Sequence, residues 1–317
     1  MPEMSWKKTW KAKNNMTRAF VTAFHKYQPY GGEFYEPILD FFLQTMKKYQ
    51  DEYDHVYLVD SNWNISPDKL TDKMTILRVN PHLRYYDAYK EVLPQIKEDL
   101  VLFMDNDTIV YKPGIIKKVF AHLDIENLSV DYKQERCLHA DVVSIYDTIG
   151  EWHFSKLGGK SKVCPYLFGI KTDLLRQYTG VEWGPNMPVH ETLGALTKAL
   201  IENGRSFYEM EEDKSNFLFE STMDGEKSKD LGYYHVRAGS TPAYLLAERK
   251  YGNKKTYDDY LKNQPKSEYL RQFAWYWYMC DGRFGFPQII TLLDDLGIDE
   301  RKWMDYQGKF VVYHGLV

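Results

Sequence analysis

Apolar residues run without a break from Leu100 to Met104, and the run stops at Asp105-Asn106-Asp107. Continuous apolarity over five residues predicts a strand buried on both faces of a sheet. Arg18–Phe24, His55–Val59 and Met74–Val79 read as three earlier strands. Phe34 to Tyr49 carries apolar residues at helical spacing (Ile38, Phe41, Phe42, Met46), and Gln28–Gly32 before it reads as a loop. Tyr85–Ile96 and Ile115–Leu123 read as two further helices. Strand, helix, strand, strand, helix, strand predicts an α/β fold with a mostly parallel central sheet flanked by helices.

The pattern loosens after Leu123. Residues 124–165 mix polar and aromatic patches and read as loops and short strands. Val163–Leu175 reads as a strand, then a turn, then a helix start, with Thr172 or Asp173 as the N-cap of that helix. Val181–Val189 is a breaker-rich loop, and Glu191–Asn203 is an amphipathic helix closed by Asn203-Gly204. Residues 211–230 read as a flexible loop, and Tyr233–Gly239 as a short alternating segment. Beyond Pro242 the pattern is helical and aromatic-rich, including Tyr269–Met279 and Pro287–Leu296. The organisation expected is a tail over 1–16, an α/β domain over 17–245, and a helical extension over 246–317 packed on it.

Composition narrows the classes. The chain has 317 residues and is 44% hydrophobic, enough for a sizeable core. Its net charge of −4 gives no reason to expect a nucleic-acid backbone as partner. Three cysteines without a CxxC pair, no signal-peptide core and no apolar run near the ~20 residues of a membrane span lead to a cytoplasmic expectation. Trp6 and Trp10, four apart in a basic stretch, leave open a peripheral contact at a membrane surface, although a docked or frayed tail is the weightier reading. The scattered Lys and Arg read as solvated surface.

The candidate chemistry sits where buried strands end. In extended chain, residues i and i+2 point the same way, so Asp105 and Asp107 would face one ligand together. Two like charges there call for a cation, and a hard divalent metal is the simplest. Ligands of parallel α/β sheets collect at the carboxyl ends of strands. Thr22, Phe24 and Asp60 lie at such ends and are expected to converge with the two aspartates.

At these residues the chain resembles the metal-dependent glycosyltransferases of the GT-A fold, in particular family 2-like inverting members, over roughly residues 17–240. Four places carry the resemblance: Met104-Asp105-Asn106-Asp107, similar to the Asp-x-Asp metal motif; Leu167-Phe168-Gly169, similar to the glycine loop beside donor and acceptor; Val189-His190-Glu191, similar to the acidic motif that opens a helix; and Tyr234-His235, similar to the C-terminal metal-binding histidine. The third departs from the usual Glu-Asp pair, because Thr192 follows Glu191. The resemblance implies Asp105, Asp107 and His235 as ligands of Mn²⁺ or Mg²⁺. It implies Glu191 as catalytic base, and Thr22, Phe24, Asp60, Arg84, Asp105 and Gly169 as donor contacts. The donor would be a UDP-sugar, or less favoured a GDP-sugar; the acceptor would be a glycan or other hydroxyl of unspecified identity. A catalytically silent sugar- or nucleotide-sugar-binding protein and a retaining transferase stand as alternatives.

Each of these residues also has a plain structural reading. The aspartates could cap a turn, Glu191 could be an ordinary helix-start acid, and His235 could be packed between tyrosines. Asp60 could simply end its strand. Trp183 could stack on an acceptor sugar or anchor its loop, while Trp275 and Trp277 read as core.

Overall fold

The computed structural model describes residues 16–27, 29–110, 112–123, 140–145, 163, 166–185, 192–210, 233–235, 238–263 and, except for 274 and 278, 272–280. Nine strands are present among them: β1 Arg18–Phe24, β2 His55–Asp60, β3 Met74–Arg78, β4 Leu100–Met104, β5 Thr108–Val110, β6 Val142–Ile145, β7 Leu167–Lys171, β8 Phe207–Met210 and β9 Tyr233–His235. The helices are α1 Gly32–Lys48, α2 Tyr85–Val92, α3 Ile115–Leu123, α4 Thr172–Arg176, α5 Gly194–Glu202, α6 Thr241–Tyr251 and α7 Lys254–Asn263.

Seven strands form one sheet in the order β3-β2-β1-β4-β7-β6-β8. β1, β2, β3 and β4 pair in parallel, β7 runs antiparallel to both β4 and β6, and β6 and β8 are parallel. The expected α/β architecture with a mostly parallel sheet is what the chain adopts. β5 and β9 form a separate antiparallel pair.

The apolar run of β4 serves two cores at once. Leu100, Leu102 and Met104 join Phe20, Phe24 and Leu58 under α1, α3 and α6. Val101 and Phe103 join Val21 and Val59 under α2, α4 and α5. Alternate side chains point to opposite faces, so a strand covered by helices on both sides has no polar position. Helix α1 supplies the first core with Phe34, Ile38, Phe42 and Met46, one stripe at fourfold spacing. The C-terminal aromatics pack on the same side: Phe41 meets Trp275 edge-on at 4.8 Å, and the Tyr276 hydroxyl donates to the Phe34 carbonyl at 2.8 Å.

Several element edges differ from the sequence reading. The helix expected over Tyr85–Ile96 is α2 followed by a 3₁₀ turn at Leu93–Gln95, where Pro94 has no amide to continue the ladder. Lys171, not Thr172 or Asp173, occupies the N-cap position of α4. The helix expected from Glu191 starts at Gly194, behind a left-handed Leu193. Helix α6 matches the helical pattern expected beyond Pro242. The tail over 1–15 and the segments 211–230 and 287–296 lie outside the described residues. No helix of the described residues is long and apolar enough to cross a membrane.

Candidate functional site

β4 ends at Met104, and the next residues turn. The Thr108 amide donates to the Asp105 carbonyl at 3.1 Å, closing a four-residue turn. β5 follows and pairs with β9, with Thr108 opposite His235. The two aspartates are therefore presented by a turn, which corrects the extended alternation expected for them. They remain electrostatic neighbours: burial first, and then the charge of Asp107, holds the Asp105 carboxyl well above the usual carboxylate range.

Asp107 is 6% exposed, and its Oδ2 accepts a hydrogen bond from the Gly239 amide at 2.7 Å. That approach requires glycine, because a Cβ at position 239 would stand 2.8 Å from the Asp107 Cβ and from Trp275 Nε1. Asn106 Nδ2 donates to the Ala23 carbonyl at 3.2 Å and ties the turn to the end of β1. The Ala23 amide donates to the Tyr89 hydroxyl at 3.1 Å. Just beyond β1, Tyr27 is 63% exposed, yet desolvation of its phenol end raises its pKa, and the charges of Asp107 and Asp105 add to that. Its hydroxyl therefore lies in the field of the acidic pair.

The remaining expected residues divide sharply. Asp60 ends β2 and is 3% exposed, but its carboxylate is occupied. Oδ1 accepts from the Trp63 and Asn64 amides at 2.7 and 3.2 Å; Oδ2 accepts from the Ile65 amide at 2.8 Å and from Arg78 Nη1 at 2.7 Å. The visible task of this carboxylate is to fold the loop after β2. Phe24 is fully buried between Phe42 and Trp63, at 5.5 and 5.2 Å between ring centroids. Burying such a ring stabilises by roughly 2–3 kcal/mol, which accounts for its presence without a ligand. Thr22 is fully buried in β1, and its hydroxyl has no hydrogen-bond partner among the described residues. Arg84 stands exposed at the N-cap of α2, where Nη1 donates to the Tyr86 hydroxyl at 3.2 Å.

Gly169 was expected in a loop and instead lies in the middle of β7, opposite Leu102 and Val143. The reason is packing: a Cβ there would come within 2.7 Å of Val119 Cγ1 and 3.0 Å of Leu123 Cδ1, on α3. Glu191 and the side chain of His235 lie outside the described residues, and the helix Glu191 was expected to open begins three residues later. Trp183 is a fully buried loop anchor with Nε1 donating to the Tyr178 carbonyl at 3.1 Å, so it offers no face to a sugar. Trp275 and Trp277 are core.

Among the described residues, no group of three or more His, Cys, Asp or Glu side chains is arranged to hold a metal ion. Asp105 and Asp107 alone still suit one ion type. Mg²⁺, and Mn²⁺ with similar oxygen preference, is commonly held by one or two carboxylates and completed by substrate phosphates. Two residues that the sequence reading passed over belong to this region. Gly239 positions Asp107, and its only sequence signal is the Ala238-Gly239 step after β9. Lys26 is buried beside Trp63, and its signal is a lone cation in the aromatic stretch Phe24–Tyr27.

No protein-family model matches the chain. No curated protein matches it either. Among solved structures it is similar to a mycobacterial protein at 13% identity, covering 62% of this chain and 65% of that one with a TM-score of 0.44. It is also similar to glucosyl-3-phosphoglycerate synthase from Mycobacterium tuberculosis, solved with phosphoglyceric acid, at 14% identity, with 62% and 70% coverage and a TM-score of 0.42. A third similarity is to the bifunctional IspDF from Campylobacter jejuni, at 11% identity, 62% and 50% coverage and a TM-score of 0.38. The chain thus spans about two thirds of the first of these proteins and half of the last. Overlaps of this size carry no argument about what this chain binds.

Proposed function

We propose that the chain is a glycosyltransferase that moves a sugar from a nucleoside diphosphate to an acceptor hydroxyl, with Mn²⁺ or Mg²⁺ taken up together with the donor. The observation that carries this reading is the Asp105–Asp107 turn. It places two interacting carboxylates at the carboxyl end of the central strand, pinned by Gly239 on one side and by Asn106 to β1 on the other. Two like charges held close by backbone contacts favour a cationic ligand.

In this reading Asp105 and Asp107 hold the ion, and His235 is the third ligand, its backbone set opposite Thr108 by the β5–β9 register. When bound, the ion supplies charge stabilisation to the departing diphosphate. Glu191 takes the proton from the attacking acceptor hydroxyl, and transfer inverts the anomeric centre. A UDP-sugar is favoured over a GDP-sugar. Asp60 acts on the donor through the loop it folds, and Gly169 acts through the packing of β7 on α3.

The test is release of nucleoside diphosphate from a panel of UDP- and GDP-sugars in Mn²⁺ or Mg²⁺, without acceptor. Slow metal-dependent release that is abolished in Asp107→Asn supports the reading. Absence of release from every donor in either metal, with the protein folded, removes it in favour of a binding protein.

A further inference from the structure

Lys26 follows the end of β1 and is only 8% exposed. Its backbone is clamped to Asn62: the Lys26 amide donates to Asn62 Oδ1 at 2.5 Å, and Asn62 Nδ2 donates to the Lys26 carbonyl at 2.7 Å. The ammonium lies 5.9 Å from the Trp63 ring centroid and 3.6 Å from where a Cβ on Gly32 would stand. It has no hydrogen-bond or ion-pair partner among the described residues. Three acids act on it through space, Asp60, Glu33 and Glu36. Each is already matched to another cation: Asp60 to Arg78 at 2.7 Å, Glu33 to Lys250 at 3.3 Å, and Glu36 to Lys69 at 2.5 Å. Burial outweighs all three and lowers the amine below its ordinary value. The stem is buried while the ammonium still reaches solvent, so a ligand can approach a cation that has no paired acid among the described residues.

A second feature meets it. Helix α1 is 17 residues long, and its N-cap is Gly31, which has no side chain to cap the first turn. The amides of an uncapped first turn carry partial positive charge. The Phe34 amide returns to the Gly31 carbonyl at 2.9 Å. Glu33, the acid of that turn, is engaged by the Tyr251 hydroxyl at 2.6 Å and by Lys250. Gly32 leaves the backbone bare on the side facing Lys26.

We infer that Lys26 and the first turn of α1 form an oxyanion subsite, which takes a phosphoryl or carboxylate group of a ligand lying across the carboxyl ends of β1 and β2. Helix N-termini and a lysine point charge are both suited to such a group. The subsite adjoins the acidic turn, which Asn106 ties to β1 one strand away. It binds the anion directly, whereas the aspartates need a cation. The inference stands independently of glycosyl transfer, and the two fail in different experiments.

The test is calorimetric titration of the full chain with pyrophosphate, and separately with malonate, in EDTA, so that the aspartate pair plays no part. At least one of these probes is expected to bind the unmodified chain. Lys26→Met keeps the stem against Trp63 and is expected to weaken binding about tenfold or more, as loss of a charged hydrogen bond does. Gly32→Ala keeps the charge but puts a methyl in contact with Nζ, and is expected to weaken binding as well. It decides the matter if Lys26→Met fails to fold. Repeating the titration with saturating UDP and Mn²⁺ separates the sources. Displacement identifies the donor's own diphosphate, and undiminished binding identifies an oxyanion on another substrate; both uphold the subsite. No binding of either probe at millimolar concentration, or equal affinity in the unmodified chain and the folded variants, overturns it.

Discussion

Asp60→Asn separates a strut from a ligand group. The carboxylate is buried and receives three amides and one guanidinium nitrogen. Asparagine can keep its oxygen toward the Trp63 and Asn64 amides. Its NH₂ then faces the Ile65 amide and Arg78, donors against a donor. Hydrogen bonds to a charged acceptor contribute about 1.5–3 kcal/mol each. The Arg78 share is discounted to below about 1 kcal/mol, because 55% of that side chain is exposed and screened. The expected loss is therefore about 3 kcal/mol, dominated by the buried amides of the loop. Urea unfolding of Asp60→Asn and Arg78→Met, singly and together, reads it. The pair should couple by about 1 kcal/mol or less, and Asp60→Asn alone should account for nearly the whole effect. A loss below about 1 kcal/mol together with collapse of nucleotide affinity would refute the reasoning and return Asp60 to direct donor contact.

Further outcomes follow from single contacts. Gly169→Ala forces a methyl against Val119 and Leu123 and should destabilise by about 1–3 kcal/mol in thermal or urea unfolding; no loss would show that α3 yields freely. Glu52 is 2% exposed, and its carboxylate accepts the Gly114, Ile116 and Lys117 amides at 2.6, 3.1 and 3.2 Å. Glu52→Ala should therefore cost roughly 2–4 kcal/mol through the start of α3, read as a fall in Tm. His55 Nε2 lies 2.8 Å from Thr75 Oγ1, and burial lowers its imidazole pKa. The unfolded chain then binds more protons between the lowered folded value and about 6.5, so stability is present above that range and falls as pH drops through it. His55→Gln should flatten this slope, and an unchanged slope would assign it to other groups.

Regular elements were legible because their patterns are local. β4 and α3 have the bounds that their apolar runs give, since each buries a continuous or one-sided set of residues. The acidic turn was legible as a pair of carboxylates at a strand end but not as geometry. Its shape depends on Thr108, on Gly239, which lies 132 residues beyond Asp107, and on a β5–β9 pairing that no local pattern announces. The loop-folding role of Asp60 was not legible because its partners are mostly backbone amides, which every residue has and no sequence displays. Gly169 looked like a loop residue because a glycine required by a crossing helix reads like one required by a turn. Lys26 was hidden among solvated lysines, and only the pairing of each neighbouring acid with another cation singles it out.

The central claim is that Asp105 and Asp107 form a seat for a divalent cation shared with a nucleoside diphosphate. Thermal shift with UDP or GDP, with and without Mn²⁺, tests it most directly, because a ligand of the folded state raises Tm by mass action. In the unmodified chain, nucleotide and Mn²⁺ together should raise Tm by more than the two separate shifts combined. Asp105→Asn and Asp107→Asn should lose that excess, and Asp105→Asn should be more stable than the unmodified chain when no metal is added, since the buried acid no longer meets Asp107. An excess that survives in both variants, or no response to any nucleotide with Mn²⁺, would contradict the claim.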